Sequence, residues 1–181
     1  MPIIGMMTKA LYIYALLFCL TTGAIAFRGT AALDITWSWM LMATPVALVV
    51  WIIAIFRTWK TDRWRTLILP VIAIFVFLSS GMAGQGLRDE YFLSKLSEFE
   101  SSVEHFRLHG ELPPVEWLGR DVSTYPISDS GEVMVAFWWG YQGRTHTILV
   151  YCDYEKPLVQ LIEKRMDGGY NLRDHWWVAR Y

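Results

Sequence analysis

Few residues in this chain of 181 have the types and spacing that chemistry requires. The best pair is His105-Phe-Arg-Leu-His109, two imidazoles at i and i+4 that a helix would place on one face, where they could share a metal ion. The zinc-protease motif needs Glu directly after the first His to act as general base, and Phe106 stands there. No spaced third and fourth ligand is evident, so the simpler expectation is two histidines in a last helical turn, where positive charge suits the helix dipole. His146 and Cys152 have the same parity on an expected strand, but six residues of strand hold them roughly 20 Å apart, too far for a nucleophile and its base. Cys152 reads as a small buried hydrophobe. Its one fellow, Cys19, lies in an apolar stretch near the start, so no disulfide is expected within the chain. There is no Gly-rich phosphate loop, no G-x-S-x-G elbow and no C-x-x-C. Neither a catalytic residue nor a cofactor or metal site is expected, and the chain reads as a protein that is not an enzyme.

The elements around these residues are far more legible. Arg57-Thr-Trp-Lys-Thr-Asp-Arg-Trp-Arg65 carries four positive charges and one negative between two apolar stretches. Short Lys/Arg-rich connections stay on the side from which a membrane protein is inserted, so this segment predicts a cytoplasmic loop. Three uncharged stretches, 10–27, 35–56 and 66–87, are each long enough to cross a hydrocarbon core as a helix. The first also resembles a signal peptide, with Lys9, an apolar Ala10–Leu20 and Ala24-Ile-Ala26 as an A-x-A-like site, although its length suits a retained span. Trp37, Trp39 and Trp51 stand where indoles meet the two interfaces of the second span. Pro45 in that span frees a carbonyl that a neighbouring helix must satisfy, whereas Pro70 falls in the first turns of the third, where proline costs least.

No Asp, Glu, Lys, Arg or His lies within those bounds, which argues against a pump or transporter. Small residues four apart, at Thr22/Ala26, Ala43/Ala47, Ser79/Ala83 and Ser80/Gly84, allow close helix approach. They are expected to pack the bundle; a homo-oligomer interface is the other use such pairs can have. With the 57–65 segment cytoplasmic, the N-terminus is cytoplasmic too and residues 88–181 are extracytoplasmic, periplasmic in a bacterial inner membrane.

Charge separates the two halves. Six basic and two acidic residues precede Arg88, and ten basic and fifteen acidic residues follow from it. An acidic half with no Lys/Arg cluster excludes nucleic acid as its partner. Within it, Phe92, Leu96, Phe99, Val103 and Phe106 alternate by four and three, predicting an amphipathic helix that Gly110 caps and Pro113-Pro114 ends. Glu132–Tyr141 and Thr145–Tyr154 around Tyr141-Gln-Gly-Arg144 predict a hairpin. Leu158–Met166 and His175–Tyr181 around a turn at Asp167-Gly168-Gly169 predict a second, with Tyr170–Asp174 unassigned.

A spanning helix leading into an amphipathic helix, then His109-Gly-Glu-Leu-Pro-Pro-Val-Glu-Trp-Leu118 and antiparallel hairpins, resembles the periplasmic domains of pilins and pseudopilins. That resemblance covers about half the chain and implies a helix laid on an antiparallel sheet. It does not extend to pilus assembly, because pseudopilins have one N-terminal span with a glutamate close behind a prepilin cleavage site, and here two more spans precede Thr66–Leu87.

The expected protein is therefore three transmembrane α-helices followed by an extracytoplasmic α+β domain, in which one amphipathic helix packs on an antiparallel sheet. Its partners are the lipid bilayer and another protein, as an accessory subunit of an envelope assembly or an immunity-type protein. Trp138, Trp139, Trp176 and Trp177 are the candidate anchors for that partner, two of them expected to turn inward. The rival classes are a small-ligand sensor, which needs an apolar pocket between helix and sheet, and an envelope enzyme using His105 and His109.

Overall fold

The computed structural model describes residues 2–29, 31–111, 122–127, 132–139, 147–153 and 168–180. The chain forms two compact units, 1–88 and 89–181. Helix α1 is Pro2–Arg28, α2 is Ala31–Ser94 and α3 is Leu96–His109; strands β1 to β5 are Val122–Ile127, Glu132–Trp139, Thr147–Cys152, Gly168–Arg173 and Trp176–Arg180.

In the first unit three helical stretches, Lys9–Arg28, Ala32–Arg57 and Pro70–Ser94, are long and apolar enough to cross a membrane, the last running on into the second unit. The loop expected at Arg57–Arg65 is not a break in secondary structure: helical backbone continues through it, so that α2 has 64 residues. Yet α2 is not a rod. Phe18 stacks on Trp37 at 6.2 Å and on Phe77 at 4.9 Å, whereas a straight helix would hold those two rings about 60 Å apart at its rise per residue. The chain therefore doubles back between Ala54 and Pro70, which line one cavity. Pro70, expected in the first turns of a separate span, lies inside α2 as Pro45 does, and each lacks the N–H of its place in the helical ladder.

The direction of each stretch follows from its contacts with α1. Tyr14 lies beside Met40 and Thr44 while Phe18 lies beside Trp37, an antiparallel pairing. Phe18 with Phe77, Thr22 with Gly81 and Ala26 with Gly84 make a parallel one. The path is up, down and up. The Tyr14 hydroxyl donates to the Met40 carbonyl at 2.6 Å and lies 2.9 Å from the Thr44 hydroxyl, joining α1 to the helix one turn before Pro45. Arg88, buried, reaches the Ala26 carbonyl at 3.5 Å.

In the second unit the stripe expected from the sequence is the seam. Phe92, Leu96, Phe99 and Val103 are buried and Phe106 half-buried. The helix that carries the stripe is broken once, at Lys95, whose ψ of 6° leaves the helical region, and the seam continues on either side. Gly110 ends α3 in the left-handed region at φ 73°, its N–H bonded to the Phe106 carbonyl, a conformation that costs a residue with a Cβ more.

The five strands among the described residues form one antiparallel sheet in the order β1-β2-β3-β5-β4. β1 was not expected from the sequence; its Pro126 is tolerated because β1 is an edge strand. β2 and β3 pair as expected, Met134 opposite Cys152 through Trp139 opposite Thr147. The second hairpin is corrected. Gly168 and Gly169 begin β4, the turn is Asp174-His175, and β4 pairs with β5. Asp174 adopts φ 48°, a left-handed conformation that Asp tolerates in turns. Leu158–Met166, the turn Tyr141–Arg144, His146 and Pro113-Pro114 lie outside the described residues.

Alternation sends Val135, Phe137, Trp139, Leu149, Tyr151, Trp176 and Val178 to one face, against the helix seam. There Phe99 packs edge-on to Phe137 at 5.0 Å, and Phe92 to Trp139 at 5.2 Å. The other face carries Met134, Ala136, Ile148, Val150, Cys152 and Ala179, each at most 3% exposed, with Trp138 and Trp177 beside them. Both faces are thus buried, and the sheet is an inner layer.

Candidate functional site

A cleft of about 580 Å³ opens where α3 meets the β3–β5 part of the sheet. Glu100, Val103, Glu104 and Arg107 recur at helical spacing, so one face of α3 supplies one wall. β3 contributes Tyr151, the β4–β5 turn Asp174 and His175, and β5 Trp176. Tyr151 and Trp176 are register partners on adjacent strands with ring centroids 5.1 Å apart, which makes the floor aromatic.

One hydrogen-bonded group ties this wall to the floor. Arg107 donates to the Tyr151 hydroxyl at 2.9 Å and forms an ion pair with Asp153, and the Tyr151 hydroxyl donates to the Asp153 carboxylate at 2.8 Å. The second carboxylate oxygen of Asp153 accepts the Val133 N–H at 3.0 Å, fixing it to the neighbouring strand. Burial raises the Tyr151 phenol above its ordinary value, its bond to Asp153 raises it further, and Arg107 opposes both. Tyr151 is therefore a neutral donor at physiological pH, not a base. The Arg107 guanidinium is held charged: desolvation alone would lower its pKa, but Tyr151, Asp153 and Glu104 together raise it.

Glu100, Glu104 and Asp174 stand around the mouth of the cleft; Glu104 lies 3.6 Å from Arg107, which Asp153 also engages, and Asp174 lies 3.5 Å from Arg173, so the rim keeps a net negative charge. Ser101, also in the lining, donates its hydroxyl to the Glu98 carbonyl at 2.8 Å. The arrangement can bind; its chemistry is that of an aromatic floor with an anionic rim.

The residues singled out from sequence are distributed as follows. His105 and His109 do meet, with ring centroids 4.4 Å apart on α3. Among the described residues, no group of three or more His, Cys, Asp or Glu could hold a metal ion. Trp139 and Trp176 are 4% and 2% exposed, Trp139 against Tyr91 and Phe92, Trp176 against Phe99, Phe137 and Tyr151. Trp138 and Trp177 lie half-buried on the opposite face. Of the four, only Trp176 reaches the cleft, as part of its floor.

Between helix and sheet the rings of Phe92, Phe99, Phe137 and Trp176 pack on one another. The Arg107–Tyr151–Asp153 group was not found from sequence. Its one local signal is that Tyr151 and Asp153 have the same strand parity; Arg107, more than 40 residues earlier, gives none. No protein family, curated protein or solved structure matches the chain.

Proposed function

We propose that this is a non-enzymatic integral membrane protein whose domain 89–181 lies on the extracytoplasmic side and binds another protein through the cleft beside α3. The observation that carries the reading is the cleft itself, an open aromatic floor of Tyr151 and Trp176 under an acidic rim. Such a surface suits an extended, basic segment, its charges answered by Glu100, Glu104 and Asp174 and one apolar side chain laid on the rings. The orientation rests on the four basic residues of Arg57–Arg65 and on the up-down-up path, which leads the chain away from that end of the bundle after the third stretch.

The outer surfaces of the spans, with Met42, Phe56, Phe75 and Met82 at least 70% exposed, suit hydrocarbon and not water. Anchoring keeps the acidic domain at the membrane, where a partner in the same envelope meets it at high effective concentration.

A photo-crosslinking residue placed at Ser101 in the full chain, in native membranes, tests the reading. It should yield one discrete adduct, and Glu100→Lys with Glu104→Lys should abolish it without lowering the melting temperature. The same probe at Asn171, exposed on edge strand β4, should give none. An adduct that survives the double charge reversal removes the acidic cleft as the binding site, and an adduct of twice the chain's mass identifies a second copy of this protein as the partner.

A further inference from the structure

The histidine pair of α3 takes no part in the cleft. Arg107, which does, lies two residues from each imidazole and so about 200° round the helix from them. His105 and His109 are one turn apart, with ring centroids 4.4 Å apart and an interplanar angle of 53°. His105 is half-buried and His109 exposed, so the pair is open to solvent while one ring is steadied by its surroundings. Among the described residues neither ring has a hydrogen-bond or ion-pair partner, and the nitrogens of both are unengaged.

The spacing of the two rings selects a coordination geometry. With metal–nitrogen bonds of about 2.0 Å and about 1.1 Å from nitrogen to ring centre, two imidazoles at right angles about one ion have centres about 4.4 Å apart. At the tetrahedral angle the same rings would stand about 5 Å apart. The observed separation is that of two adjacent ligands in a tetragonal centre. Zinc in protein sites takes three or four side-chain ligands, and no such group occurs among the described residues. Copper(II) favours tetragonal sets of nitrogen and oxygen and stands at the top of the affinity order for imidazole. The pair also lies in the last turns of α3, at the negative end of the helix dipole, in a half of the chain with fifteen acidic and ten basic residues. Both fields favour a bound dication.

We propose that His105 and His109 chelate one copper(II) ion on the surface of domain 89–181, with water in the remaining equatorial positions. The site is separate from the cleft and does not depend on what the cleft binds.

The test uses the full chain in detergent, titrated with copper(II) in a non-coordinating buffer and read by equilibrium dialysis and electron paramagnetic resonance. One ion should bind per chain, with a tetragonal spectrum split by two nitrogens. Because the second imidazole binds intramolecularly, His105→Ala or His109→Ala should each weaken binding about tenfold or more. Zinc should bind about tenfold or more weakly than copper, as the affinity order for imidazole requires. Leu108→Ala, at a side chain 70% exposed between the two, should bind as the unaltered protein does. Should His105→Ala fail to fold, His109→Ala, at an exposed position, carries the test alone. Affinity retained in a folded His109→Ala protein overturns the proposal, as does a stoichiometry of one ion for two chains or zinc bound as tightly as copper.

Discussion

A Cβ has no room at Gly84: built there, it lies 2.2 Å from the carbonyl oxygen of Gly23. The two backbones touch at this point, the contact that small residues four apart permit and that any larger side chain forbids. Gly84→Leu should therefore force α1 and the third stretch apart and cost about 1–3 kcal/mol as overpacking does. Thermal unfolding of the full chain in detergent should show a clear fall for Gly84→Leu. Gly86→Leu, where nothing lies within 4 Å of the added atom, should melt close to the unaltered protein. Equal melting of the two variants would mean that the contact does not hold the bundle.

The orientation is open to a direct measurement. In the orientation proposed from the four positive charges of Arg57–Arg65, a reporter that is active only in the cytoplasm should be silent when fused after Tyr181 and active when fused after Arg63. Activity at Tyr181 would reverse the arrangement.

Phe99 is fully buried between Phe92, Phe137 and Trp176. Phe99→Asp places a carboxylate among those rings with no partner and should cost on the order of several kcal/mol, enough to unfold a domain of ordinary stability. Limited proteolysis of the full chain should then cut within 89–181. Leu108→Asp, on a side chain 70% exposed, should leave the domain resistant.

Tyr151 links Arg107 to Asp153, and its phenol is raised by burial and by Asp153. A phenol with a raised folded-state pKa contributes stability that is fully present below the ordinary tyrosine value of about 10 and is lost as pH climbs through the higher folded value. Domain stability should thus fall above about pH 10, and Tyr151→Phe should remove that part of the fall. At neutral pH the same variant loses the hydroxyl's two hydrogen bonds and should be less stable by about 1–2 kcal/mol. Equal alkaline profiles for the two proteins would show that Tyr151 does not titrate with unfolding.

Features of local origin were present in the sequence. Apolar length marked the three stretches long and apolar enough to cross a membrane, because that capacity is a property of consecutive residues. The four-three alternation from Phe92 to Phe106 and the glycine at 110 marked the amphipathic helix and its cap, because helical period and positive φ are set by neighbours a few residues away. The first hairpin followed from two β-rich runs and a short connection. Partnership across the chain decided the rest. Helical hydrogen bonds are local and continue through Arg57–Arg65, while the reversal that brings Trp37 and Phe77 to one ring, Phe18, is made by packing on α1. Gly168-Gly169 has the composition of a turn, yet it begins β4 because pairing with Ala179 and Arg180 places the turn at Asp174-His175. Trp138 and Trp139, identical in type and adjacent, face opposite ways, and register alone assigns Trp139 to the seam. The cleft is of the same kind: Arg107, Tyr151, Asp153 and Trp176 come from a helix, a strand, the residue after it and another strand, and no local pattern could join them before the sheet set Tyr151 beside Trp176 and laid α3 across both.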